Sequence, residues 1–99
     1  MILQDIISDI HALREDLEVY ERKYGLLSET FYEMYSQGQE PEDDAWVLDW
    51  SDWAGAYQTL LRRREQYQRA IESLKVGEKQ TLPSILKKAS RHEPIAVNP

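Results

Sequence analysis

The sequence contains no cysteine, and this absence excludes several kinds of site. A chain without thiols has no disulfide framework, no thiolate zinc site and no cysteine nucleophile. Glycine and proline are also scarce, with four of each among 99 residues, so the helix ends fall at a few identifiable positions. The lack of cysteine fits a reducing compartment, and we expect a cytoplasmic protein.

Long apolar runs are missing as well. The first ten residues are rich in Ile and Leu, but Asp5 and Asp9 interrupt them and no basic residue precedes them. A signal peptide needs a basic start, and a membrane-spanning helix needs about 20 apolar residues in succession. We therefore expect neither a signal peptide nor contact with a membrane.

Positive charge is in short supply. The chain has 12 basic and 18 acidic residues, a net charge of −6, and the charge is unevenly placed. Residues 1–77 have a net charge of −8, whereas residues 78–99 have a net charge of +2. Neutralising the phosphates of a nucleic acid requires a basic surface, so direct nucleic-acid binding is not expected.

Signatures of catalysis are also lacking. The sequence has no glycine-rich phosphate loop and no glycine-flanked nucleophilic serine, and His11 and His92 have no histidine three or four residues away. We expect no catalytic residue, no metal and no cofactor. The acidic stretch of residues 40–52 lacks the ligand register of a calcium loop. It is interpreted as a solvated face that caps a helix, with docking of a basic protein as the alternative.

The spacing of apolar residues predicts two long helices and a short one between them. Residues 2–24 repeat apolar side chains every three or four positions, the seam of an amphipathic helix or coiled coil. Gly25 is expected to end this helix, Ser28 to cap a second helix that stops at Gly38, and Asp43 or Asp44 to cap a third.

The third helix is predicted to run to Lys75, with Gly77 as its stop. Arg64 falls on its apolar seam, where we expect an ion pair with an acid of the first helix or of a partner. Gly55 lies inside the helix, which costs about 1 kcal/mol relative to Ala, and we expect the close approach of another backbone or a large ring to compensate.

The aromatic residues are concentrated between Tyr24 and Tyr57. This third of the chain holds all three Trp, the one Phe and four of the six Tyr. Helical spacing favours core packing for these rings, but a binding hot spot is the alternative because Trp and Tyr are enriched there. Trp46, at the helix start, is the predicted partner contact. The predicted structural core consists of Tyr24, Gly25, Phe31, Trp50, Trp53 and Tyr57.

These elements predict an all-α fold. Residues 1–77 form an antiparallel hairpin of two long helices joined by a short one, and residues 78–99 form a mobile basic tail in which Pro83 opens a short helix. Two long helices enclose little volume, so we expect the hairpin to dimerise into a bundle.

The segments E-R-K-Y-G-L-L-S-E-T-F-Y and D-W-S-D-W-A-G-A-Y resemble a group of small, acidic bacterial proteins, frequent in cyanobacteria. Their shared motifs are K-Y-G, S-E-x-F-Y and W-A-x-x-Y, and several members are described as antitoxin-like partners of a neighbouring small toxin. The chain departs from them in its longer acidic insertion, residues 39–47, and in its extended third helix and basic tail.

The resemblance implies a non-catalytic antitoxin-like protein that forms a homodimer and neutralises a toxin encoded nearby. Its tail would fold onto the toxin and bury Leu82, Ile85 and Leu86. Two alternatives remain at this point. One is a structural, assembly or accessory-subunit protein that uses its long helices and the acidic loop, and the other is a nucleic-acid mimic that uses the acidic face.

Overall fold

The computed structural model describes residues 1–76 and 81–97, and its secondary structure within these ranges is helical apart from one isolated β-bridge. The helices are α1 (Leu3–Tyr24), α2 (Ser28–Ser36), α3 (Asp44–Val76) and α4 (Leu82–Ser90). The all-α class is therefore confirmed, and the bounds lie within one or two residues of those predicted. The predicted stop at Gly77 lies outside the described residues.

The helix ends follow from single residues. Gly25 has φ +73°, and its N–H donates to the Glu21 carbonyl at 2.8 Å, which closes the last turn of α1. Gly38 has φ +89° just beyond α2. Both values are in the left-handed region, where glycine avoids the penalty of a Cβ. At the start of α3 the Asp43 carboxylate accepts from the Ala45 N–H at 2.9 Å, as predicted.

The chain divides into two compact units. One unit comprises His11–Leu61 and is called the aromatic unit; the other comprises Met1–Ile10 with Arg62–Pro99 and is called the aliphatic unit. The aromatic unit contains the end of α1, all of α2 and the start of α3. It buries Leu17, Phe31, Trp53, Ala54 and Leu60.

The aliphatic unit brings the two ends of the chain together. The Leu3 N–H donates to the Ile95 carbonyl at 2.7 Å, and the Val97 N–H donates to the Met1 carbonyl at 3.2 Å. The Gln4 side chain donates to the Glu93 carbonyl and accepts from the Ile95 N–H, at 2.7 and 3.1 Å. The buried apolar residues of this unit are Leu3, Ile6, Ile10, Ala70, Leu74, Ile95 and Val97.

The burial of Ile95 and Val97 places part of the predicted tail in a core. Sequence analysis assigned residues 78–99 to a mobile segment outside the folded domain; in the structure, residues 95–97 pack with the start of α1. Within the tail, α4 begins as expected, with Pro83 in its first turn and the Thr81 hydroxyl accepting from the Ser84 N–H at 3.3 Å. The mobility of the tail stays a prediction.

The structure departs from two expectations for α3. Arg64 is exposed, and its neighbour Arg63 makes the ion pair with the first helix, with Nε 3.0 Å from the Asp9 carboxylate and a guanidinium N–H 2.9 Å from Gln66. The seam is thus shifted by one residue at this point. An ion pair between Arg64 and an acid of a partner stays a prediction. Gly55 has no neighbour within 4 Å of the position that a Cβ would occupy, so nothing compensates its cost.

None of the described helices is both long enough and apolar enough to cross a membrane.

Candidate functional site

Trp53 lies at the centre of the aromatic unit. Its indole is 1% exposed and stacks on Phe31, with ring centroids 3.8 Å apart and planes within 4°. Tyr24 and Tyr20 stack on the same indole, with centroids 5.6 and 5.9 Å away. Stacked aromatic pairs contribute about 0.5–1.5 kcal/mol each beyond the burial of their area. Trp53 therefore ties α1, α2 and α3 together.

A chain of hydrogen bonds fixes the polar edge of this indole. Trp53 Nε1 donates to Ser28 Oγ at 2.9 Å, and Ser28 Oγ donates to the Glu21 carboxylate at 2.7 Å. The Ser28 backbone N–H donates to the same Glu21 oxygen at 2.9 Å. The Trp53 indole N–H and the Ser28 hydroxyl thus both have partners, which avoids a desolvation cost of about 1–3 kcal/mol for each.

This arrangement corrects the predicted cap of α2. Ser28 was expected at the N-cap, but Leu27 occupies that position and makes no side-chain cap. The capping carboxylate comes from Glu21 on α1, where the negative charge is favourable beside the helix N-terminus. Ser28, which is 3% exposed, instead links Glu21 to Trp53.

Beside the Trp53 stack the unit opens into a cleft of about 270 Å³, called the aromatic cleft. Its exposed apolar residues are Met34, Leu26 and Trp46, which are 43, 40 and 38% exposed. Trp50 is half-buried in its wall. The cleft is lined by Tyr24, Leu26, Phe31, Met34, Tyr35, Gln39, Trp46, Trp50 and Trp53.

Two Trp residues of the cleft stack on each other, and one of them has an unpaired polar atom among the described residues. Trp46 and Trp50 stack with centroids 5.8 Å apart and planes within 14°. The indole N–H of Trp50 is buried and has no hydrogen-bond partner among the described residues. A buried donor without an acceptor costs free energy. The wall of the cleft therefore holds one unused donor.

Acidic residues adjoin the cleft. A neighbouring groove shares Tyr35 and Gln39 with it and is lined by Glu40 and Asp44, which are called the acidic flank. Both carboxylates are exposed. Part of the acidic stretch predicted from the sequence thus lies next to the exposed aromatic rings, an arrangement that favours cationic and apolar groups together.

Asp49 is the acid of this stretch with the most specific contacts. Its carboxylate accepts from Lys23 Nζ and from the Tyr24 hydroxyl, each at 2.6 Å. The hydrogen bond from Lys23, followed by that from Tyr24, lowers the pKa of Asp49 below its ordinary value. The bond to Asp49 raises the pKa of Lys23 and that of Tyr24. Asp49 is thus held ionised and fixes the end of α1 to α3.

No group of three or more His, Asp or Glu residues able to hold a metal occurs in residues 1–76 and 81–97.

The α4 helix presents a second candidate surface. Leu82 and Leu86 are 67 and 56% exposed and Ile85 is half-buried, so the helix buries none of its residues fully. Lys87 and Lys88 occupy its last turn. The α4 surface, defined as Leu82, Ile85, Leu86, Lys87 and Lys88, is therefore an apolar and basic face with little covering.

The structure separates the predicted site residues into two sets. Trp53 and Phe31 are buried, Tyr24, Trp50 and Tyr57 are half-buried, and Trp46 is exposed. Gly25 was placed in the structural core, but it is exposed and acts through its backbone. Trp46 belongs to the aromatic cleft, whereas Leu82, Ile85 and Leu86 belong to the α4 surface.

Sequence reasoning missed the Glu21–Ser28–Trp53 chain and the unused donor of Trp50. One available signal was the spacing of Glu21 and Ser28 across the glycine turn, which brings a carboxylate from one helix end to the next helix start. Whether a single indole N–H is buried without a partner cannot be inferred from the sequence.

Comparison of the chain with family models, curated proteins and solved structures finds no match in any of the three.

Proposed function

We propose that the protein is a non-catalytic protein-binding module that uses the α4 surface to hold a partner protein. The supporting observation is the exposure of Leu82 and Leu86 on a helix with a capped start and an end that leads into buried residues. Thr81 caps its start, and the buried residues Ile95 and Val97 follow its end. A presented amphipathic helix of this kind fits an apolar groove of a partner.

The charge of α4 indicates which kind of partner surface it would fit. Lys87 and Lys88 give the face a basic end, which suits a partner groove with acidic residues at one side. Charges at the rim of an interface act mainly on the rate of association and on specificity. Most of the affinity would come from Leu82 and Leu86, which become buried when the partner binds.

More specifically, we propose an antitoxin-like role in the cytoplasm, with a small toxin encoded nearby as the partner. The two long helices would form an antiparallel hairpin, the chain would form a homodimer, and α4 would cover a functional surface of the toxin. The resemblance of the K-Y-G, S-E-x-F-Y and W-A-x-x-Y motifs supports this role.

Capture from the native host tests the proposal. The bait is the full chain, beside a Leu82→Asp/Leu86→Asp variant and a Val19→Asp/Leu48→Asp control that adds the same charge at exposed apolar positions of α1 and α3, 64 and 75% exposed. We expect one small protein on the wild-type and control baits only. Expression of the captured protein alone should arrest growth of the host, and co-expression of the wild-type chain should restore growth.

Equal capture by the α4 variant would refute the role of this helix. Loss of capture by the control alone would favour a scaffold that docks through the acidic loop. Capture of a protein without effect on growth would keep the binding module but contradict the antitoxin role.

A further inference from the structure

We propose that the aromatic cleft of one chain binds the α4 surface of a second copy. The inference goes beyond the proposed function, because it assigns a second interaction surface, on the other unit, and a different occupant. Two features of the described residues carry it: the exposed apolar residues of both surfaces and their opposite charges.

The apolar features complement each other. The cleft exposes Met34, Leu26 and Trp46, and α4 exposes Leu82 and Leu86. At about 270 Å³ the cleft is smaller than the roughly 300–1,000 Å³ typical of small-molecule pockets. It suits the protruding side chains of a helix better than a cofactor-sized ligand. Covering both surfaces removes apolar area from water, at about 25 cal/mol per Å².

The charges are opposite. Residues 11–61, which form the aromatic unit, carry 12 acidic and three basic side chains, a net charge of −9. Residues 1–10 and 62–99 carry six acidic and nine basic side chains, a net charge of +3. On the local scale, Glu40 and Asp44 flank the cleft and Lys87 and Lys88 end α4. The same chain thus contains both members of a complementary pair.

Every copy has one cleft and one α4, so a dimer in which each copy offers its α4 to the other's cleft would occupy both sites. Self-association would then cover Leu82 and Leu86. A partner protein that binds α4 must compete with the second copy, so the partner's apparent affinity falls as the chain concentration rises.

Complementation between two variants tests the inference. The cleft variant is Met34→Glu, with Leu26→Glu as a second cleft variant outside any helix; the α4 variant is Leu82→Asp/Leu86→Asp. Sedimentation should show wild-type chain passing from monomer to dimer as concentration rises. We expect each variant alone to stay monomeric and a 1:1 mixture to form a heterodimer, since one cleft and one α4 remain intact. High salt should weaken both complexes.

The recovered heterodimer also shows that each variant is folded. A wild-type chain that stays monomeric, variants that dimerise like wild type, or a mixture with either cleft variant that stays monomeric would each overturn the inference. Partner capture separates it from the proposed function. Met34→Glu should lose self-association and keep the partner, whereas the α4 variant should lose both.

Discussion

The two units of the chain bury different kinds of side chain in their cores. The aromatic unit holds every Trp, the one Phe and five of the six Tyr, and it has a net charge of −9. The aliphatic unit is built from Leu, Ile, Val and Ala side chains around the paired chain ends and has a net charge of +3. One unit thus depends on ring stacking and a polar network, the other on aliphatic burial and backbone pairing.

The units also differ in the sequence distance of their contacts. Trp53 bonds Ser28 across 25 positions, whereas Gln4 and Ile95 are 91 positions apart. Closing a longer loop costs more chain entropy, though only by about 0.6 kcal/mol for each doubling of its length. The aromatic unit should therefore form early, and the pairing of the chain ends late, during folding.

The largest effect is expected from Trp53→Ala, which removes the centre of the aromatic unit. Trp53 is 1% exposed, and truncating a buried Trp costs about 3–5 kcal/mol. Trp46→Ala is the matched control, since Trp46 is 38% exposed and does not touch the Ser28 chain. Urea unfolding followed by far-ultraviolet circular dichroism measures both. Equal costs would show that Trp53 is not the anchor of the unit.

Ile95→Ala is the corresponding core truncation in the aliphatic unit. Ile95 is 6% exposed, and truncating a buried Ile to Ala should lower the free energy of unfolding by about 2–5 kcal/mol. The backbone bonds to Leu3 and Gln4 remain possible, so the effect isolates apolar burial. Leu86→Ala is the control. If limited proteolysis cuts both variants at the same rate, the packing of residues 95–97 does not protect this segment.

Ser28→Ala should cost about 1–3 kcal/mol, because it leaves the Trp53 indole N–H buried without an acceptor and removes the hydroxyl bond to Glu21, although the backbone N–H of residue 28 still donates to that carboxylate. Ser51→Ala, at an exposed position of α3, is the control and should change stability by less than about 0.5 kcal/mol. The free energy of urea unfolding measures the pair. A neutral Ser28→Ala would mean that another group accepts from Trp53.

The helices and their ends could be predicted because their causes are local. Gly25, Gly38 and Asp43 each act on the backbone within a turn of their own position, and the apolar spacing determines the extent of α1 and α3. The all-α class follows from the same pattern. No distant contact was needed for these conclusions.

The contacts between distant residues could not be predicted in the same way. The choice of Arg63 over Arg64 depends on the rotation of α3 to within one residue, which a three-four repeat containing Gly55 and three arginines does not determine. The burial of Ile95 depends on pairing with Ile2 and Leu3 at the other end of the chain. The aromatic cleft likewise arises from ring orientations rather than from composition.

Gly55→Ala should stabilise the protein by about 1 kcal/mol, since the added Cβ meets nothing within 4 Å and Ala is the better helix former. Gly25→Ala is the informative counterpart, because φ +73° penalises any Cβ and the variant should be destabilised by about 1–2 kcal/mol. The midpoint temperature of thermal unfolding should therefore rise for Gly55→Ala and fall for Gly25→Ala. A destabilised Gly55→Ala would indicate that α3 needs its glycine for a bound partner or a second copy.

The smallest effect is expected from Asp49→Asn, and its size depends on pH. The pKa of Asp49 is lowered in the folded protein by its bonds to Lys23 and Tyr24, so its stabilising contribution is complete above its ordinary value and is lost as the pH falls through the lowered one. The difference in unfolding free energy between wild type and Asp49→Asn should therefore shrink in acid, below about pH 4.

At the alkaline end the raised pKa values of Lys23 and Tyr24 mean that their contributions to stability persist up to about pH 10 and are lost above it. Asp52→Asn, which removes a nearby exposed carboxylate, is the control. A difference for Asp49→Asn that stays constant down to about pH 2 would show that the carboxylate gains nothing from its two donors.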